Sequence, residues 1–319
     1  MSRSALSLSG LLLLCGCGGA PEERPPTPPP AVLAQEEPPA GNFTTHWDIL
    51  VSRYAPQFAP EESFAHPCYQ TDHLRLELLR ATAAGLPPPE QPAAEVLIAV
   101  EGEGTLDIDG VRVPFGAGKV ALLPAGARGR LVGQEKDPLG CLAFRQRGAA
   151  SLTRGEGSRP LVRDFADLYP TKPALAGVRE EWVGGLPGVS LHVLEVAGDP
   201  TADPQPVEVE IDGKPQLLQL QAGYVSPYQR RTCDQMLFFL SGTGSLGLSN
   251  VGNLVRAGSL VGIPTGVTAY YANGEPREPS LILIVLSPGT ASQAPQADVE
   301  MQFSGPKKPW LRPVHARPQ

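Results

Sequence analysis

The chain lacks any apolar run long enough to cross a bilayer as a helix: its most apolar stretch, Ala5 to Leu14, is about half of the roughly 20 residues required. It is short of cysteine, with five in 319 residues, two of them near the N-terminus. The remaining three, Cys68, Cys141 and Cys233, are odd in number, so at most one intrachain disulfide can close. Positive charge is also scarce, since the net charge is -7 and lysines number six against twenty arginines. That balance gives no argument for nucleic acid as a partner or for electrostatic attachment to an anionic membrane. The lysine to arginine ratio reflects coding bias as much as physics. No Gly-x-Ser-x-Gly elbow occurs, and Ser241-Gly242-Thr243-Gly244-Ser245 reads as a turn between strands. Gly102-Glu103-Gly104 is followed by neither a helical pattern nor a P-loop lysine, so it too reads as a turn.

What the chain does have is itself twice. At a register of 140 residues, Glu95 to Gly133 lies opposite Gln235 to Asn273 without a gap. Leu97, Gly102, Gly104, Leu106, Val111, Ala117, Gly118, Pro124 and Gly126 meet identical residues at Leu237, Gly242, Gly244, Leu246, Val251, Ala257, Gly258, Pro264 and Gly266. Glycine and proline mark backbone turns, which drift less easily than side chains.

Within each copy the pattern is of short strands. Leu74, Leu76 and Leu78 alternate with Arg75 and Glu77 as in a half-buried strand. Val96–Val100, Thr105–Ile108, Val111–Phe115, Val120–Leu123 and Leu139–Phe144 follow, with Asp109-Gly110 as the strongest hairpin signal. The second copy gives Leu217–Gln221, Met236–Leu240, Ser245–Leu248, Asn253–Val255, Leu260–Ile263 and Leu281–Leu286. Between the copies lie a connecting segment, Asp164–Tyr169, a strand, Val189–Val196, and a hairpin arm, Val207–Ile211, turning at Asp212-Gly213. Thr45 is placed to cap a helix from His46 to about Tyr54, with Trp47, Leu50 and Val51 on one face. Cys68 and Cys141 flank the first copy and form the one candidate disulfide; the alternative is three small buried thiols.

Two resemblances add to this. Met1-Ser2-Arg3, the apolar stretch and Leu14-Cys15-Gly16-Cys17 resemble a bacterial lipoprotein signal. The resemblance implies cleavage after Gly16, a lipid on Cys17 and, with Gly18 next, export to the outer membrane; an ordinary secretory signal is the alternative. Gly118-(five residues)-Pro124-Ala125-Gly126 and Gly258-(five residues)-Pro264-Thr265-Gly266 resemble the second motif of the cupin superfamily, and Glu95-(six residues)-Gly102 resembles the end of the first. The implied fold is all-β: two tandem cupin jelly-roll barrels with a short N-terminal helical segment and a Pro-rich tether. The implied organisation is a signal peptide at 1–16, a tether at 17–41, an N-terminal barrel at 42–150, a connection at 151–204, a C-terminal barrel at 205–288 and an extended tail at 289–319.

By the same resemblance, a metal-binding cupin brings two histidines, a glutamate and a third histidine onto one inner wall. Here those positions fall on Pro89, Gln91, Glu95 and Gly129 in the first barrel, and on Gln229, Arg231, Gln235 and Ala269 in the second. Only Glu95 keeps its ligand type, and one carboxylate cannot hold a catalytic ion. No cofactor is expected. His66, Cys68 and His73 offer metal-type donors, but at no recognised spacing; His46, His192 and His315 are scattered. Glu95 either points inward, paired with Arg128, Arg130 or a ligand, or sits at the barrel mouth in water. Gln229, Arg231 and Gln235 could line a wall that takes a small polar or anionic ligand, or Arg230 and Arg231 could be solvated loop residues. Three functions remain open: a lipid-anchored, non-catalytic binding protein of the cell envelope; an enzyme using Glu95 as base; and a structural module that pairs its repeats or forms a homodimer.

Overall fold

The computed structural model describes residues 41–87, 93–147, 160–168, 177–198, 204–211, 214–221, 226, 229–249, 251–275, 278–289 and 299–301, with backbone alone for 204–221, 288–289 and 299–301. Cys17, Pro89, Gln91, the tether, most of the tail and the Asp212-Gly213 turn lie outside them. The first half runs β1 (Phe43–His46), α1 (Trp47–Tyr54), β2 (Phe64–Gln70), β3 (Leu74–Ala81), β4 (Glu95–Glu101), β5 (Gly104–Ile108), β6 (Val111–Pro114), β7 (Lys119–Leu123), β8 (Gly129–Gly133) and β9 (Leu139–Gln146). The second runs β10 (Leu161–Asp164), α2 (Phe165–Leu168), β11 (Val178–Leu186), β12 (Gly188–Val196), β13 (Pro204–Ile211), β14 (Lys214–Gln221), β15 (Gln229–Arg231), β16 (Asp234–Ser241), β17 (Thr243–Leu248), β18 (Val251–Arg256), β19 (Ser259–Ile263), β20 (Thr268–Asn273), β21 (Ser280–Gly289) and β22 (Val299–Met301).

The strands assemble into two antiparallel jelly rolls. In the first barrel a six-stranded sheet, β10-β7-β4-β9-β3-β2, faces a three-stranded one, β6-β5-β8. In the second, β1-β19-β16-β21-β12-β11 faces β18-β17-β20-β15-β22, and β13-β14 form a separate hairpin. The repeat is visible in individual hydrogen bonds. Gly118 N–H donates to Ala99 O at 3.0 Å and Gly258 N–H to Phe239 O at 2.8 Å; Ala117 pairs with Gly102 and Ala257 with Gly242 in the same register. Gly118 and Gly258 have φ of 85° and 86°, a left-handed conformation that explains why glycine stands at both.

The opening strand of each half joins the other half's sheet. β1 pairs with β19 and β10 with β7, and the residue that follows each, Trp47 or Phe165, donates its N–H to Gly258 O or Gly118 O. This exchange, together with the pairing of β11 and β12 with β21 through β12, places strands of the stretch 151–204 inside both barrels. Tail residues 299–301 likewise pair with β15. The helix is capped by His46, whose Nδ1 accepts from Asp48 N–H at 3.2 Å; Thr45, expected as the cap, is held in β1 instead.

Three apolar clusters result among the described residues. One fills the first barrel (Leu97, Leu106, Phe115, Leu131, Cys141) and one the second (Leu237, Phe239, Leu246, Tyr271, Ile284). The third lies between the barrels, where Leu76, Ile98 and Phe144 of one six-stranded sheet meet Leu191, Phe238 and Leu283 of the other. Both large sheets are therefore covered on both faces. The alternation in β3 thus has a different meaning from the half-buried strand expected: Leu74, Leu76 and Leu78 face the other barrel, and Arg75 and Glu77 share the side of the sheet that carries Leu79 and Ala81 into the barrel interior. All three cysteines are buried, and Cys68 and Cys141 are free thiols. Cys68 belongs to the core between the barrels and Cys141 to the interior of the first, so opposite faces of one sheet keep the candidate pair apart.

Candidate functional site

Each barrel carries a charged cluster built by period-two alternation on strands that otherwise bury apolar side chains. In the first barrel, Glu95 and Arg145 are directly opposite on β4 and β9, as are Arg145 and Arg75 on β9 and β3. Arg145 Nε donates to Glu95 Oε2 at 2.7 Å, and its Nη1 donates to Glu77 Oε2. Arg75 Nε lies 2.9 Å from the other Glu77 oxygen. The result is an alternating row, Arg75, Glu77, Arg145, Glu95, in which only Arg75 reaches far into solvent.

Glu95 is 4% exposed, so the solvated barrel-mouth position is excluded. Its partner is Arg145 and not Arg128 or Arg130, which are exposed; Arg130 donates to Ala84 O. Burial pushes the Glu95 carboxyl above its ordinary range, opposed by Arg145 and reinforced by Glu77. Leu123, which pairs with Glu95, fills the neighbouring space: a Cβ on Gly129 would come within 2.6 Å of Leu123 Cδ1.

The second barrel holds a different cluster. Glu180 and Trp182 on β11 pair with Leu194 and His192 on β12, which puts all four side chains, with Ser190, on the inner face. His192 Nδ1 is 3.1 Å from Glu180 Oε1, and His192 Nε2 is 3.1 Å from Ser190 Oγ. From the opposite sheet, Arg231 Nη2 donates to Glu180 Oε2 at 2.6 Å and to Gln229 Oε1 at 3.3 Å. Burial alone would raise the Glu180 carboxyl, but His192 and Arg231 hold it down to about 2. Arg231 is 4% exposed, so the reading of it as a solvated loop residue fails, whereas Arg230 is exposed. Arg231 Nε, Trp182 Nε1, Glu180 Oε1 and His192 Nδ1 are buried without a hydrogen-bond partner among the described residues. Gln235 is buried in the same row across the sheet as Ser190, both pairing with Leu286, and Ala269 pairs with Gln229.

These residues do not fit a divalent metal. Glycine and alanine bring no side-chain donor, and a guanidinium has no lone pair to give. The carboxylates beside them are already engaged by arginine. Among the described residues no three of His, Cys, Asp and Glu gather as a metal would need. His66 lies against Tyr54 with the rings tilted and their centroids 4.1 Å apart, Cys68 is buried with its thiol pushed up to about 12, and His73 is exposed. Sequence reasoning missed Glu77, Arg145, Glu180, Ser190 and His192 as site residues. For the last two a signal existed, since Ser190 and His192 are polar positions two apart in a strand that, Glu195 aside, is otherwise apolar.

The chain matches no protein-family model and no curated protein. Among solved structures it is similar to a cupin 2 conserved barrel domain protein from Leptotrichia buccalis, with TM-score 0.54 and 9% identity over 77% of this chain and 96% of that one. It is also similar to salicylate 1,2-dioxygenase from Pseudoaminobacter salicylatoxidans in its adducts with gentisate, with TM-score 0.55 and 11% identity over 80% of this chain and 83% of that one. At such identities the likeness speaks for the fold alone, and that fold is the tandem jelly roll of cupin-domain proteins.

Proposed function

We propose that this chain is a metal-independent binding protein of double-barrel form, held at the bacterial envelope by a lipid on Cys17, which takes a small polar or anionic ligand into its second barrel. The observation that carries the reading is Arg231. It stands where a metal-binding cupin would bring an imidazole, it is almost wholly buried, and its Nε donor is unmatched. A buried donor without a partner costs about 1–3 kcal/mol, which an acceptor atom of a ligand would relieve. The first barrel offers less, because Arg145 there is shared between two carboxylates of the same sheet. The anchor rests on Leu14-Cys15-Gly16-Cys17 in the sequence.

Metal analysis of protein lacking residues 1–17 tests the first part: far less than one equivalent of iron, manganese, nickel or zinc is expected, and a stoichiometric metal would overturn it. Small carboxylates, gentisate included because the dioxygenase of like fold is known with it, are the first thermal-shift probes. Labelled fatty acid should enter the full chain in a bacterium and be lost in Cys17→Ser.

A further inference from the structure

We propose that Ser190 is a nucleophile and that the second barrel cleaves small carboxylic esters. This rests on the reading above that the second barrel admits a small molecule, and names the substrate class.

The warrant is the order of groups along one line. Glu180 Oε1 lies 3.1 Å from His192 Nδ1, a close ion-pair contact rather than an aligned hydrogen bond, and His192 Nε2 shares a 3.1 Å hydrogen bond with Ser190 Oγ. A carboxylate this close to one ring nitrogen favours the tautomer with the proton on that side, which leaves the other nitrogen's lone pair for a hydroxyl proton, the order of groups by which a serine becomes nucleophilic on unrelated folds. Glu180 stays ionised for this role because Arg231 binds its second oxygen at 2.6 Å. Ser190 and His192 share a face because they are two apart on β12, and both are 3% exposed, so bulk water does not compete for the serine proton. The register irregularity between Trp182 and Gly184 on β11, directly beside His192, is the kind of bulge found next to reactive sites.

The step balances without a co-reactant other than water. Ser190 Oγ bonds to the ester carbon while its proton passes to His192 Nε2. The ester C–O bond breaks and the departing alkoxide takes that proton. Water, deprotonated by His192, then releases the acyl group and restores Ser190. Glu180 and Arg231 are positioning residues and touch no reacting atom.

The test uses protein lacking residues 1–17 and a small alkyl fluorophosphonate, with peptide mass spectrometry to locate the adduct. One equivalent on Ser190 is expected, none in Ser190→Ala, which removes a single oxygen. His192→Gln should slow labelling roughly 10²-fold or more. No adduct on Ser190, or a rate unchanged in a folded His192→Gln, overturns the proposal. The same probe's hydrolysed phosphonate is run in thermal shift against both proteins. A shift without labelling removes the nucleophile and leaves the binding reading; neither shift nor labelling removes both.

Discussion

Replacing Arg231 and Glu180 singly and together measures whether the second barrel is held across its interior by a buried ion pair. At the 2.6 Å contact, the Coulomb attraction at an effective dielectric of about 20 is about 6 kcal/mol, before each ion's desolvation cost of several kcal/mol is set against it. The pair's net contribution is therefore small, but either partner alone is a stranded charge. Arg231→Met leaves the Glu180 carboxylate with His192 only; Glu180→Gln leaves a guanidinium that is almost wholly buried. Each single change should cost about 3–5 kcal/mol, which lowers Tm by roughly 10 °C or more in a domain of this size. The double variant removes both charges and should cost no more than either single change, so less than the sum by about 3 kcal/mol or more. Thermal unfolding followed by circular dichroism, on protein lacking residues 1–17, reads all four states of the cycle. Additivity to within about 0.5 kcal/mol would mean that Arg231 lies in water, and the second-barrel site would have no physical basis.

Acid should weaken the fold through the same carboxylate. Glu180 is held at about 2 in the folded chain against an ordinary 4.5, so its contribution is present above that ordinary value and disappears as pH falls toward 2. Over that window the parent should lose about 3 kcal/mol more than Glu180→Gln, by urea unfolding at stepped pH. Parallel pH curves would contradict it. Glu95 has the opposite sign, with its folded pKa raised by burial, and Arg145 keeps Glu77 when Glu95 is neutralised; Glu95→Gln should cost under about 1 kcal/mol at pH 7, well below Glu180→Gln. Cys68, Cys141 and Cys233 should be silent to an aromatic disulfide reagent in the native protein and all react once it is unfolded, because burial removes access and, for Cys68 and Cys141, raises the thiol pKa. Gly262→Ala should cost about 1–3 kcal/mol, since its Cβ would lie 2.2 Å from Cε1 of the fully buried Tyr69; an unchanged Tm would show that this contact between the halves can yield.

Much of the fold is legible where backbone chemistry is specific. Asp109-Gly110 turns β5 into β6 with φ of 51° and 87°, as the dipeptide implies, and the duplicated glycines hold the same hydrogen bonds in both halves. The edge strands are hidden by residues that normally forbid a strand. Pro67 sits in β2 at an edge, beside the register shift between Pro67 and Tyr69, where its missing N–H is tolerated. Gly184-Gly185 interrupts the pattern of β11 at its own irregularity. β1 and β10 are four residues each and owe their pairing to a partner far along the chain, so no local pattern declares them. The site is less legible still. The apolar run of β9 ends at Phe144, one residue short of Arg145, and Arg75 and Glu77 have the spacing of a solvent face until a second barrel covers the leucine face behind them.

That second covering also explains why the two barrels have diverged. With both six-stranded sheets buried on both faces, a charge on the inner wall cannot reach water through the sheet and must be matched inside the barrel. The first barrel matches it within one sheet: β3, β4 and β9 supply Arg75, Glu77, Glu95 and Arg145 side by side, and Leu123 fills the space that a side chain at Gly129 would need. The second matches it across the interior, with Arg231 of β15 reaching Glu180 of β11, and so ties its two sheets together at a point where Gln229, Gln235, Ser190 and His192 also stand. A pair that spans the interior keeps the two walls at a set distance, and an unmatched Nε gives that space a donor. The fold thus treats one wall as a rivet and the other as a frame, and the unmatched donor in that frame is why we place the proposed ligand there.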